Sequence, residues 1–227
     1  SVDWSCGDQL ILTAQAKLGG KSAVLRIFRI SENSAAQLDT PLKVIMPDAD
    51  VPIQRALWGP LNDRIYTAND DGSIRIYDPE TGKQLMKADI HKKSIRDMQW
   101  DKTQTVFITA SSDKTAKLVD TRSLEVIKTY NMGRPVNSAA ISPLKDHIVA
   151  GGGESSVGVA LSRHDTSQFK SCFFHKIYQY ELASVEGHFG PVNTLAFSPD
   201  GKSYASGSED GFVRLHHFGK EYLNRDL

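Results

Sequence analysis

Residues 186–217 read EGHFGPVNTLAFSPDGKSYASGSEDGFVRLHH, and this stretch contains a histidine and an aspartate, His188 and Asp210, that lie 22 residues apart. The same spacing separates His91 from Asp113 earlier in the chain. A catalytic motif normally occurs once in a domain, whereas a structural motif recurs when the domain is built from repeats. The repeated spacing therefore indicates a repeat architecture.

Large apolar residues recur in the same frame. Nine residues after each histidine position, the four copies of the frame carry Trp58, Trp100, Ile141 and Phe197. The aspartate position holds Asp71, Asp113, Glu154 and Asp210, at intervals of 42, 41 and 56 residues. A fifth, looser copy opens the chain at Trp4. The repeating unit is therefore about 42 residues long, and its last interval contains an insertion.

Each unit consists of short alternating segments separated by turn residues, such as RIYTA, NDDG, SIRIYD and PETG over residues 64–82. The alternation places Ile74 and Ile76 on one face of a strand, and no segment shows helical spacing over a dozen residues. Units of this length with four short strands are typical of β-propeller blades. We therefore predict an all-β propeller in a single domain, 1–227, with blades near 1–47, 48–87, 88–131, 132–184 and 185–227.

The opening stretch resembles the WD-repeat signature through Gly187-His188, Ser198-Pro199-Asp200-Gly201 and Ser206-Gly207-Ser208. The resemblance implies a buried hydrogen-bonded network of histidine, aspartate and strand hydroxyl in each blade. Its members here would be His91, Thr109, Ser111 and Asp113 in one blade, and His188, Ser206, Ser208 and Asp210 in another. The tryptophan position of the signature holds Tyr77, Val119 and His216 instead. These departures weaken the predicted network in several blades.

A closer resemblance covers about half of the chain, including ALWGPL (56–61), FITASSDKTAKLVD (107–120), GRPVNSAAISP (133–143) and FFHK (173–176). Together with the opening stretch, these segments resemble the subunit i family of eukaryotic translation initiation factor 3. The resemblance implies a seven-bladed propeller that docks on subunits b and g of the complex and, through them, on the small ribosomal subunit. Five registers are present here, so we expect the chain to be N-terminally incomplete; a complete five-bladed ring is the alternative.

Composition limits the function classes. Hydrophobic residues at 40 % and charged residues at 24 % are typical of a soluble globular protein. Lysine and arginine equal aspartate and glutamate at 27 each, so the net charge gives no attraction to nucleic acid or to an anionic membrane. The sequence contains two cysteines without a paired spacing, and it shows no signal pattern or membrane-spanning run. These features predict a cytoplasmic protein with reduced thiols.

Several short motifs have a second interpretation. Ser111 and Lys114 have the Ser-x-x-Lys spacing of serine acyl enzymes, and GGKS at 19–22 resembles the end of a phosphate-binding loop. Cys172 and His175 have a spacing that suits metal ligation. The first two motifs lie in strands or turns rather than in the strand-to-helix context that their chemistry requires. Residues three apart on a strand, such as Cys172 and His175, point to opposite faces, and no second pair of ligands is in view. We therefore predict no catalytic site, cofactor, metal or small-molecule substrate.

Surface residues give the remaining candidates for function. Arg134 and Phe189 follow the histidine position of their blades, in loops through which such propellers meet partners, and both residue types are common interface anchors. The aromatic insert near 155–180 is a second candidate, with Phe173 and Phe174 as its predicted contacts. We predict a non-catalytic scaffold, and the resemblance implies that it belongs to the initiation factor complex and supports assembly on the small ribosomal subunit. A propeller enzyme and a signalling adaptor of receptor or kinase complexes are the alternatives.

Overall fold

The computed structural model describes residues 1–15, 22–31, 36–47, 51–154 and 169–224. The first three residues of GGKS and most of the predicted insert, 155–168, lie outside the described residues. Within them the chain folds into nineteen strands and one short helix. No described helix has the length and hydropathy needed to span a bilayer. The predicted all-β class is confirmed.

The strands form five antiparallel sheets, each built from consecutive strands. The first sheet contains β1 (Val2–Trp4), β2 (Leu10–Gln15), β3 (Val24–Arg29) and β4 (Lys43–Ile45). The second contains β5 (Ile53–Trp58), β6 (Ile65–Asn69), β7 (Ser73–Tyr77) and β8 (Gln84–Asp89). The third contains β9 (Ile95–Trp100), β10 (Val106–Ser111), β11 (Thr115–Asp120) and β12 (Val126–Asn131).

The fourth sheet contains β13 (Val136–Ile141), β14 (His147–Gly152), β15 (Ser171–His175) and β16 (Glu181–Val185). The fifth contains β17 (Val192–Phe197), β18 (Ser203–Ser208) and β19 (Val213–His217), followed by helix α1 (Lys220–Asn224). The described part of the fifth sheet therefore has three strands, and the segment after β19 is helical rather than a fourth strand. The predicted blade boundaries and the full seven-bladed ring stay predictions.

The chain divides into two compact units, Ser1–Arg96 and Asp97–Leu227. The first unit contains the first two sheets, whose core includes Leu12, Leu25, Ile53, Trp58 and Ile65. In the second unit, one cluster joins the third and fourth sheets, and another joins the fourth and fifth. Every residue of β7 is buried, so this strand is covered on both faces as its alternation predicted.

The turn after β6 recurs in two other sheets. In all three turns, the residue that follows the turn aspartate has the same backbone conformation. Gly72, Lys114 and Gly211 all have a positive φ there, of 82°, 77° and 82°. Glycine adopts this left-handed conformation without strain, whereas a residue with a Cβ is disfavoured in it. Lys114 is therefore a turn residue, and its separation from Ser111 reflects the turn rather than acyl chemistry.

The turn between the last two strands of a sheet also recurs. The Asp78 carboxylate accepts hydrogen bonds from the N–H groups of Glu80 and Thr81, at 2.8 and 2.9 Å. The Asp120 carboxylate accepts the equivalent pair from Arg122 and Ser123, both at 2.8 Å. In the fourth sheet the ring of His175 takes this place, as described below. The turn thus requires an acceptor, which an aspartate or an imidazole nitrogen supplies.

A stacked column of aromatic rings attaches helix α1 to the second unit. The ring of His216 stacks on Tyr204 with centroids 4.5 Å apart, and Phe218 stacks on Tyr204 at 5.8 Å. Phe218 also stacks on Tyr222 at 4.1 Å, and the Tyr222 hydroxyl lies 2.8 Å from Nδ1 of His147. Five rings therefore connect the third strand of the fifth sheet to the second strand of the fourth.

Gly72 gives a test of the turn geometry. A Cβ at Gly72 would lie 2.2 Å from the carbonyl oxygen of His91, whereas a Cβ at Gly211 would meet nothing within 4 Å. We expect Gly211→Ala to cost about 1 kcal/mol, from the left-handed backbone alone. Gly72→Ala should cost clearly more, because the clash with backbone adds to that cost. Urea denaturation of both variants measures the difference, and equal losses would contradict the predicted contact.

His147 predicts a pH dependence of stability. Burial is the main factor that lowers the pKa of His147, and the nearby His175 and Lys145 act in the same direction against Asp146. The folded state therefore resists protonation, so stability is complete above the unfolded pKa of about 6.5 and falls as the pH drops below it. We expect a lower urea midpoint at pH 5.5 than at pH 7.5. His147→Gln should reduce this difference, and an unchanged pH dependence would refute the assignment.

Candidate functional site

The fifth sheet contains a buried network of the kind that the resemblance to the WD-repeat signature implied. His188 Nδ1 lies 2.9 Å from Oδ2 of Asp210, and its Nε2 lies 2.8 Å from the hydroxyl of Ser206. Ser206 is the strand hydroxyl that reaches the histidine. Ser208 instead donates to the carbonyl of Gly190 at 2.9 Å and accepts from the N–H of Asp210. Of the two predicted serines, one thus joins the network and the other closes the turn.

His216 is a further member that the sequence identified only as a departure from the signature. Its Nε2 lies 3.3 Å from the Ser206 hydroxyl, which His188 also contacts. A histidine ring offers a nitrogen at the place where the signature has a tryptophan N–H, so the position keeps its hydrogen bond with a different side chain. The sequence signal for this role was that His216 aligns with the tryptophan position of the signature.

The Asp210 carboxylate is held by three donors. Burial opposes its ionisation, but the N–H groups of Phe212 and Phe189, both at 3.0 Å, and the ring of His188 outweigh this effect. They lower the pKa of Asp210 to about 2. Its contribution to stability is therefore present above the unfolded pKa of about 3.9 and disappears as the pH falls toward 2.

Ser206, His188 and Asp210 have the connectivity of a serine–histidine–aspartate triad. Ser206 is 1 % exposed and His188 is 6 % exposed, so a substrate carbonyl has no access to the hydroxyl. The hydroxyl is also shared between two imidazole rings. A nucleophile requires an open face and a base that is directed at it alone. The arrangement therefore fits a structural network rather than acyl transfer.

The third sheet repeats the turn part of this network. The Asp113 carboxylate accepts from the N–H and the hydroxyl of Thr115, at 3.1 and 2.6 Å. Ser111 accepts from the N–H of Asp113, and Thr109 donates to the carbonyl of Lys117. Thr109 and Ser111 are fully buried. His91 is buried in the first compact unit whereas Asp113 belongs to the second, and their joint network stays a prediction.

In the second sheet, the turn aspartate is hydrogen-bonded to an arginine. The Asp71 carboxylate accepts from the Ser73 hydroxyl at 2.6 Å and from Nη2 of Arg75 at 2.7 Å. The side chain of Arg75 is only 4 % exposed. Although burial opposes ionisation, the two Ser73 donors and the charge of Arg75 lower the pKa of Asp71. Sequence reasoning missed this pair because it searched only the histidine position for a partner of the aspartate.

These observations describe a repeat in which each turn aspartate binds a donor from its own compact unit. The family model described as EIF3I matches residues 1–227 of the chain. The chain belongs to the family of eukaryotic translation initiation factor 3 subunit I. The resemblance noted in the sequence is thereby confirmed.

Individual relatives in the subunit I family agree. The chain is 42 % identical over 216 residues to "Eukaryotic translation initiation factor 3 subunit I" of Nematostella vectensis, covering 95 % of this chain and 65 % of that protein. It is 39 % identical over 227 residues to the protein of the same name from Dictyostelium discoideum, covering 100 % and 68 %. For Drosophila melanogaster the identity is 44 % over 219 residues, covering 96 % and 67 %. The chain thus spans about two thirds of the length of these relatives.

The two candidate loop anchors of this subunit I chain differ in exposure. The ring of Phe189 is 76 % exposed, while its N–H is fixed on Asp210. Arg134 directs Nη2 at the carbonyl of Lys170 and at Sγ of Cys172, both at 3.3 Å. The guanidinium group of Arg134 is therefore engaged within its own sheet, and Phe189 is the more accessible of the two.

The other two candidates lie in the core. Phe173 and Phe174 are 4 % and 3 % exposed. Phe173 packs edge-on against Tyr204 at 5.2 Å, and Phe174 packs against Tyr130 at 5.8 Å. Both residues lie on β15, whose opposite faces are covered by two different clusters, so the aromatic run reflects a strand that is buried on both sides. These rings stabilise the sheet and do not form a partner-facing wall.

Cys172 and His175 point to different partners. Burial raises the pKa of the Cys172 thiol, with the charge of Arg134 acting in the opposite direction. His175 uses Nδ1 to accept from the N–H groups of Ile177 and Tyr178, at 3.1 and 3.4 Å. Among the described residues, no group of three or more potential ligands is placed to hold a metal ion. His175 instead closes the turn that an aspartate closes in the second and third sheets.

Asp210 offers the direct test of the buried network. Replacing it by asparagine or His188 by alanine leaves buried polar groups without a partner, which costs about 1–3 kcal/mol of unfolding free energy. The double variant should lose less than the sum, because the two side chains share one interaction. Asp39→Asn, at an exposed position, is the matched control. Additive losses in urea denaturation would show that the two groups do not interact.

Proposed function

We propose that the protein containing this chain acts as a non-catalytic scaffold subunit of translation initiation factor 3. It supports assembly of the complex on the small ribosomal subunit and recruitment of mRNA in the cytoplasm. The observation that carries this proposal is the family match over all 227 residues. The relatives bear the name of the subunit, and the chain spans most of their length.

The geometry supports a scaffold because its ionisable groups are used internally. The carboxylates of Asp71 and Asp210 are each saturated by hydrogen-bond donors of their own unit. A second set of buried polar side chains is also hydrogen-bonded internally. In that set, Asp97 accepts from the Ser138 hydroxyl at 2.6 Å and from Gln99 at 2.8 Å. Such groups fix the packing of strands rather than face a substrate. Fixed strand packing within each compact unit suits a scaffold, which presents partner-binding loops on a stable framework.

Partner contact is proposed to occur through loops that the buried network holds in place. One carboxylate, that of Asp210, binds the N–H groups of both Phe189 and Phe212, whose rings are 76 % and 61 % exposed. Exposed aromatic side chains on a fixed backbone are efficient interface anchors, because little order is lost on binding. We assign Phe189 as the principal anchor for a protein partner, and subunits b and g of the complex as the partners.

Contact with the ribosome is proposed to run through those partner subunits. Positive and negative residues balance at 27 each, so the net charge supplies no long-range attraction to RNA. Glu186, an exposed carboxylate three residues before Phe189 in the sequence, acts against a phosphate backbone. A protein partner fits this surface better than a nucleic acid does.

Affinity purification of the tagged full-length protein tests the proposal. We expect the other subunits of initiation factor 3 and the small ribosomal subunit to be recovered with it. Phe189→Ala should weaken recovery of one partner by about tenfold, because loss of a buried aromatic anchor costs 1–2 kcal/mol or more. Leu85→Ala, at an exposed apolar side chain of β8, is the control. Stable association only with receptors or kinases would support the signalling-adaptor alternative instead.

A further inference from the structure

The first compact unit contains a cleft of about 550 Å³ between its two sheets. Its floor is apolar and includes Leu10, Ile27 and Trp58. Ile27 and Trp58 are each 3 % exposed, so the floor continues into the core of the unit. Leu42, at the mouth, is 57 % exposed. The cleft therefore presents apolar surface both at its floor and at its mouth.

The rim of this cleft has an excess of negative charge. Three carboxylates line it, those of Asp63, Asp78 and Glu80, against the single ammonium group of Lys43. Asp63 has a loose ion pair with Arg64 at 3.6 Å, with both side chains largely in solvent. Hydrogen bonds from Thr81 and Glu80 lower the pKa of Asp78 and keep it ionised. The rim is therefore negative throughout the physiological pH range.

The walls of the cleft are fixed before any ligand arrives. The Asn62 side chain accepts from the N–H of Cys6 and donates to its carbonyl, both at 2.8 Å. The N–H of Trp58 donates to Asp3 at 2.7 Å, and Asp78 holds its own turn. A preformed surface loses little conformational entropy on binding. The cleft consequently has the rigidity of a binding site rather than of a loose surface gap.

We propose that this cleft docks a protein segment that carries aliphatic side chains flanked by lysine or arginine. The aliphatic groups would cover Trp58 and Leu42, and the basic groups would face the carboxylates of the rim. The negative rim repels RNA and anionic membranes, which leaves a basic peptide as the complementary occupant. The proposal rests on the scaffold function, because it adds a second partner surface to the one at Phe189.

A photo-crosslinking residue at Leu42 of the full-length protein, in the purified initiation factor complex, tests the assignment. We expect crosslinks to a segment of another subunit that is rich in lysine, arginine and aliphatic residues. The same residue placed at Leu85, which is 50 % exposed on β8 and outside the cleft, should not crosslink to that segment. The double variant Asp63→Lys with Glu80→Lys should lower the yield about fivefold or more at low salt.

Glu125→Lys, an exposed carboxylate in the second unit, controls for a general effect of charge reversal. Crosslinks from Leu42 to RNA or to an acidic segment, or none at all in an assembled complex, would overturn the cleft proposal and leave the scaffold function intact. Failure of the wild-type protein to recover the complex at all would overturn both. A yield that does not respond to the double charge reversal would refute the role of the acidic rim.

Discussion

Satisfying the backbone N–H groups of tight turns is the constraint on which the rest of this structure depends. A four-stranded antiparallel sheet of about 40 residues reverses direction three times, and each reversal leaves donors without a strand partner. In the second to fifth sheets, the described residues meet this need with a side-chain acceptor at a recurring position. Asp71, Asp113 and Asp210 serve one turn, and Asp78, Asp120 and His175 serve another. Strand pairing, blade length and the exposed loops all follow from these positions.

The repeat period, the strands and the turns could be predicted from the sequence, because each depends on local spacing and turn chemistry. The resemblance to the WD-repeat signature implied that Asp210 and either Ser206 or Ser208 join a buried network, and it left the choice between the two serines open. Arg75, His175 and His216 could not be assigned, because each performs the task of a different residue type and its role depends on neighbours that only the fold brings together. Phe173 and Phe174 looked like surface residues for a similar reason, since the sequence does not show that β15 is covered on both faces.

The functional picture combines a rigid interior with two different surfaces. The buried carboxylate of Asp210 fixes the backbone N–H of Phe189, whose ring is exposed. A hydrogen bond in the interior thus sets the position of a candidate contact residue. The cleft in the first unit is instead a concave apolar surface with a charged rim. The two proposed partner surfaces thus differ in chemistry, since one is an exposed aromatic ring and the other is an apolar cleft with an acidic rim.

The equivalence of Gly72, Lys114 and Gly211 shows what this turn requires of the chain. The three positions share a backbone torsion although Lys114 has a long side chain and the other two have none, so the shared requirement is a dihedral angle. His175 likewise shares an acceptor role with Asp78 and Asp120 although the residue types differ. Repeats within one chain can therefore differ in residue identity at positions where they agree in conformation or in hydrogen bonding.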